Sequence, residues 1–185
     1  LDYGPFGFNE LFNPRFQPWT GGGEHFSFFN QQAAAETNFQ MFCEALKPLL
    51  IGNEEALERL NNICDGFNSV MNQKMENMWV KKMGLISFDE SLVTEMLQLM
   101  VHTKVDYTIF FRKLSNIPNE IADIKDSFYL PSSEQIDARW VNWLRRWREN
   151  INYKSGQNEK STEMKRINPR YTWREWLITP AYEKA

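Results

Sequence analysis

The chain has 185 residues, 42% of them hydrophobic and 24% charged, with a formal net charge of -3. That is enough apolar material for a single domain burying about 70% of its unfolded surface, and so weak an acidic balance gives no electrostatic reason to expect a nucleic-acid or acidic-membrane partner. No apolar run approaches the length of a membrane span, no signal-peptide pattern is seen, and two cysteines, Cys43 and Cys64, do not make a disulfide framework.

Leu1 to Phe8 reads Leu-Asp-Tyr-Gly-Pro-Phe-Gly-Phe. One acid, Asp2, follows an apolar residue and enters a turn built from Tyr3, Gly4, Pro5 and Gly7, where glycine and proline fix the backbone and hold the carboxylate rigidly. On these residues alone Asp2 is a turn-capping group. Asn9 to Gln32 is broken by Asn13-Pro14, Gln17-Pro18 and Gly21-Gly22-Gly23, yet rich in Phe, Leu and Trp; so long an irregular stretch is ordered only if its aromatics dock. His25, a lone loop histidine, is read as structural or solvated.

Helical periodicity begins after Asn30. Ala33 to Leu50 places Ala35, Phe39, Phe42, Leu46 and Leu49 on one face, with Pro48 bending or ending the last turns. Asn53 caps a helix expected to run about 30 residues to Gly84, with Glu54 and Glu55 at its positive end, Lys81 and Lys82 at its negative end, and a methionine stripe read as core. Cys43 and Cys64 fall inside these patterns as small buried hydrophobes. Asp89 caps the next helix, whose inner face is Leu92, Met96, Leu97, Leu99 and Met100. Asp106 caps a short helix to about Leu114, an architectural role.

Ile117 to Pro131 is a connector. Ser132 with Gln135 forms a capping box, and Ile136, Trp140, Trp143, Leu144 and Trp147 share one face, flanked by Arg139, Arg145, Arg146 and Arg148. A buried tryptophan seam with arginine stems along it is favoured over a base-stacking or membrane surface. Tyr153 to Lys160 reads as an exposed loop, and Asn168-Pro169 as the start of a final helix that Thr179-Pro180 breaks. There is no phosphate-binding glycine loop, no His/Cys metal spacing and no nucleophile elbow, so any chemistry rests on Asp2.

Asp2-Tyr3-Gly4-Pro5-Phe6-Gly7-Phe8 and the block from Lys104 to Arg112, Lys-Val-Asp-Tyr-Thr-Ile-Phe-Phe-Arg, together resemble the selenoprotein O family, also called YdiU. Phe26-Ser27-Phe28 with Asn30-Gln31, Lys82 to Leu85, and Asn168 to Tyr171 followed by Arg174 extend the resemblance along most of the chain. It implies a mainly α fold: the C-terminal helical part of a protein-kinase-like α+β fold, starting at a metal-binding segment of Asp-x-Gly type. The whole chain, 1–185, is then one helical fragment, with 1–32 the metal segment and activation-type loop, 33–185 the helical lobe and its extension, and the nucleotide-binding lobe upstream of Leu1.

The resemblance further implies protein adenylylation, the transfer of AMP from ATP to Ser, Thr or Tyr hydroxyls of protein substrates. Asp2 is then a ligand of Mg²⁺ or Mn²⁺ and, through it, part of nucleotide binding; the catalytic base and second metal ligand lie upstream, so the fragment alone is expected to be inactive. The expected partners are ATP and protein substrates, with no nucleic acid and no membrane, in a bacterial cytoplasm or a mitochondrion. The pattern departs from the family at Gln17 to Thr20, where a cysteine is common, at His25, where arginine is common, and at Thr179-Pro180. Rival readings are a pseudoenzyme or helical interaction module, separated by the upstream catalytic residues, and a protein kinase, which shares the need for Mg-ATP and an acid.

Overall fold

The computed structural model describes residues 9–17, 23, 27–152 and 156–184. Among them the protein is mainly helical, with isolated β-bridges and no strand. The described residues fall into two compact units, one drawn from 14–75 and the other from 9–13 together with 76–184.

In the first unit, a 3₁₀ turn (Phe28–Asn30) leads into α1 (Gln31–Leu46). Its amides tie back to the preceding loop, Phe28 N–H donating to the Phe16 carbonyl (2.8 Å) and Phe29 N–H to that of Pro14 (3.0 Å). The α-helix ends at Leu46, not Leu50; a 3₁₀ turn (Lys47–Leu50) follows, because Pro48 has no N–H to continue the ladder. The expected apolar face is partly wrong. Phe42 is 56% and Leu49 79% exposed, while Cys43 is buried and Phe39 stacks on Phe67 at 5.0 Å. Cys64 is only half-buried; both thiols are free, and partial burial with a hydrogen bond to Cys43 pushes the Cys64 thiol up.

Asn53 caps α2 (Glu54–Asp65), its Oδ1 accepting from Ala56 N–H at 3.1 Å. The single long helix expected here is in fact two. Gly66 interrupts it and α3 (Phe67–Met83) follows, glycine being a common point of kinking. α3 starts in the first unit and ends in the second, where Trp79 and Met83 are its buried residues; Met71, Met75 and Met78 are half-buried.

In the second unit, α3 stops at Gly84, whose φ of +70° suits a residue without Cβ. Asp89 caps α4 (Glu90–Thr103), its Oδ1 accepting from Leu92 N–H at 2.9 Å. Leu92, Met96, Leu99 and Met100 are fully buried as the periodicity requires, while Leu97 is half-buried. α4 packs on α7 (Glu134–Glu149), which carries Trp140, Trp143 and Trp147 into the core. Trp143 and Trp147 stack with centroids 6.0 Å apart and donate to the carbonyls of Leu92 (2.8 Å) and Met83 (2.9 Å). At ~25 cal/mol per Å², each buried indole contributes roughly 5 kcal/mol of gross transfer energy.

The arginine stems flank this seam. Arg146 pairs with Glu95 at 2.5 Å and Arg148 donates to the Pro118 carbonyl at 3.0 Å. The cap of α7 is one residue later than the sequence pattern suggests: Ser133 accepts from Ile136 N–H, and Ser132 bonds the Asp137 carboxylate instead. No helix among the described residues is long and apolar enough to cross a membrane.

Between α4 and α7 lie α5 (Tyr107–Leu114) and the short α6 (Ala122–Lys125), the latter inside the expected connector. The C-terminal expectations need more correction. α8 (Gln157–Ile167) begins within the stretch read as a loop, of which 153–155 lie outside the described residues. Met164 is the one buried residue of α8, too few to set a period. Asn168 does not cap a final helix. It follows α8 fully buried, donating from Nδ2 to the Lys82 carbonyl (2.8 Å) and Ser115 Oγ (2.9 Å). The last helix is α9 (Glu175–Tyr182), with Pro180 inside it, and Trp173 and Trp176 are exposed.

Candidate functional site

Asp2, Tyr3, Gly4, Pro5, Gly7 and His25 lie outside the described residues. What is described is the chain immediately after that turn and how it is held. Lys104, at φ +47°, ends α4 and reverses the chain. Val105 and Asp106 thereby run beside residues 10–12: Leu11 bridges Asp106, Phe12 N–H donates to the Val105 carbonyl (2.7 Å), and Tyr107 N–H to that of Glu10 (3.0 Å). On the other side Asp106 N–H donates to the Ser127 carbonyl at 2.7 Å and Val105 bridges Phe128. Phe12 is buried and stacks on Tyr107 at 5.6 Å, so this loop aromatic docks as the sequence requires.

Charge reinforces the backbone contacts. Asp106 is 1% exposed and makes two kinds of bond. Its Oδ1 accepts from Ile109 N–H at 2.9 Å, the expected cap of α5, and it receives the Arg174 guanidinium bidentately, Nη1 to Oδ2 at 2.6 Å and Nη2 to Oδ1 at 3.1 Å. Arg174 Nη1 also reaches Glu10 Oε1 at 3.2 Å. Glu10 in turn accepts from the Tyr129 hydroxyl and from Trp176 Nε1 (3.2 Å). The hydrogen bond to Asp106 raises the pKa of Arg174 against the opposing effect of burial. Partial burial and the Glu10 carboxylate push the Tyr129 hydroxyl up to about 12, so it stays protonated and donates at neutral pH.

This arrangement is an anchor and not a metal centre. Among the described residues no three His, Cys, Asp or Glu side chains lie together as a metal-binding group, and Glu10 and Asp106 already face Arg174, Tyr129, Trp176 and the end of α5. Mg²⁺ usually takes six hard oxygens from carboxylates, phosphates and water, a set that the described residues do not supply. Asp106 was legible as a cap. The roles of Glu10, Tyr129 and Trp176 were not, since they meet only through contacts spanning more than a hundred residues of chain.

The chain matches the family described as "Protein adenylyltransferase SelO" over residues 1–185 and belongs to that family. It is 29% identical over 195 residues to "Protein nucleotidyltransferase YdiU" of Aromatoleum aromaticum, covering 100% of this chain and 36% of that protein. With the protein of the same name from Flavobacterium johnsoniae it shares 30% identity over 201 residues, covering 100% and 37% respectively. The chain thus spans a little over a third of the length of these relatives.

Proposed function

We propose that this chain is the C-terminal helical part of a protein adenylyltransferase of kinase-like fold, which transfers AMP from ATP to Ser, Thr or Tyr hydroxyls of other proteins. The observation that carries the reading is the family match along all of residues 1–185, a family described by that activity. Asp2 is the residue of this chain assigned to a divalent metal, Mg²⁺ or Mn²⁺, which when bound neutralises phosphate charge; the remaining ligands and the base come from outside it. Glu10, Asp106 and Arg174 are positioning residues. They hold the backbone at residues 10–12, which begins eight residues beyond Asp2 in the chain, against the start of α5. Alone, the fragment is inactive.

The test is on the intact protein, comparing protein labelling from ATP tagged on the α-phosphate with labelling from ATP tagged on the γ-phosphate. Label from the α position alone is expected. Label from γ alone means phosphorylation, and no label from either means a pseudoenzyme or interaction module.

A further inference from the structure

The described cations of the second unit are unevenly neutralised. An open cleft of about 420 Å³ is lined by Ile109, Arg112 and Lys113 of α5, by Asn116, by Lys165 near the end of α8, and by Arg170 beyond it: four cations and no carboxylate. Lys113 is paired with Asp126 at 2.7 Å. Arg112 is pinned by donating Nη1 to the backbone carbonyls of Lys165 (3.0 Å) and Asn168 (3.1 Å). Those carbonyls, of Lys165 in the last turn of α8 and of Asn168 just beyond it, are helix-end acceptors that Arg112 satisfies, but they carry no net charge, so the guanidinium is held in place without being neutralised. Arg170 lies over the Tyr171 ring at 5.2 Å, again a neutral partner. Neither Lys165 nor Arg170 has an acidic partner among the described residues.

We propose that this cleft binds a small ligand bearing two or more phosphate groups. Three uncompensated cations about one opening favour an anion of charge near three. A fixed guanidinium offers the fork of donors that matches phosphate oxygens, and the Asn116 amide adds a neutral donor. At about 420 Å³ the cleft has room for a chain of two or three phosphates. The site is separate from the anchor around Arg174, and the inference does not depend on nucleotide transfer.

The probe is tripolyphosphate, titrated calorimetrically into the intact protein at low and high salt. Three proteins are compared: the unaltered one, Lys165→Glu/Arg170→Glu, and the control Lys74→Glu/Lys81→Glu, which makes the same charge change at exposed positions of α3. Binding of the probe at a nucleotide site is common to all three and cancels. The unaltered protein and the control should bind alike, more weakly as salt rises. The cleft variant should lose affinity roughly tenfold per cation removed, as for charge-assisted hydrogen bonds. Arg170→Gln, exposed and mild, should lose several-fold without lowering the melting temperature. Retained affinity in the cleft variants, an equal loss in the control, or tighter binding of a single-stranded oligonucleotide than of tripolyphosphate overturns the proposal.

Discussion

Removing one partner of the Asp106–Arg174 pair should damage the protein far more than a surface ion pair would. The side chains are 1% and 10% exposed, and the geometry is bidentate at 2.6 and 3.1 Å. Breaking a buried pair on one side typically costs 3–5 kcal/mol, because a charge is left without its counterion, whereas exposed pairs contribute 1 kcal/mol or less. Arg174→Met leaves Asp106 with only the α5 cap bond, and a loss of about 3 kcal/mol is expected. Asp106→Asn keeps an oxygen for the cap but leaves the guanidinium facing only Glu10 at 3.2 Å, for a similar loss. The double variant should cost less than the sum of the two by about 2 kcal/mol, since neither charge is then stranded. The assay is denaturant unfolding of the intact protein together with hydrogen exchange at the amides of Phe12 and Tyr107, which bond across this contact. Single-variant losses below about 1 kcal/mol that simply add, with unchanged exchange at those amides, would refute the claim that this pair holds the segment after Asp2.

Lys82 gives a pH-dependent case. Burial lowers its pKa from 10.5 to about 8, while its Nζ lies 4.2 Å from the centre of the Phe111 ring. The folded protein therefore binds fewer protons than the unfolded chain between pH 8 and 10.5, and stability from this group rises across that window. The cation–π contact offsets part of the burial penalty, so Lys82→Met should stabilise by about 1–2 kcal/mol at pH 7, an advantage that fades towards pH 10 in melts at matched ionic strength. Gly84→Ala meets both a left-handed backbone and Met164 Sδ at 2.6 Å, and should cost about 2 kcal/mol or more; Gly52→Ala, with open space around it, should cost about 1. Among the tryptophans, Trp140 has a buried Nε1 with no hydrogen-bond partner among the described residues, whereas Trp143 and Trp147 donate to carbonyls. Trp140→Phe should therefore be the mildest of the three Trp→Phe changes, by about 1 kcal/mol in denaturant midpoints converted through a common slope.

The helices legible in the sequence are those with a strong local signal. Asp89 and Asp106 each stand before an apolar run and accept the amide that a capping aspartate should. Trp140, Trp143 and Trp147 recur at helical spacing and are all buried. Where the signal is weak the reading slips. α8 has one buried residue and no period, and Asn168-Pro169 looks like a helix start although Asn168 is placed by distant partners, Lys82 and Ser115. Gly66 shows the limit of periodicity, which runs on through the point where the helix is interrupted. At the candidate site, the cap role of Asp106 was local and readable. Its pairing with Arg174, 68 residues away, was not, and Glu10 had no local reason to be singled out. The reading of Asp2 as a metal ligand, with Tyr3, Gly4, Pro5 and Gly7 as its supporting turn, comes from the family pattern, and all five lie outside the described residues.

The most direct measurement is AMP transfer from α-labelled ATP by the intact protein carrying Asp2→Ala, beside the unaltered protein and Arg174→Met. Transfer should be abolished in Asp2→Ala with the fold retained, and reduced but not abolished in Arg174→Met, which loosens the contact at residues 10–12 while the chain keeps the Asp2 carboxylate. Near-normal transfer by Asp2→Ala would contradict the assignment of Asp2 to the metal.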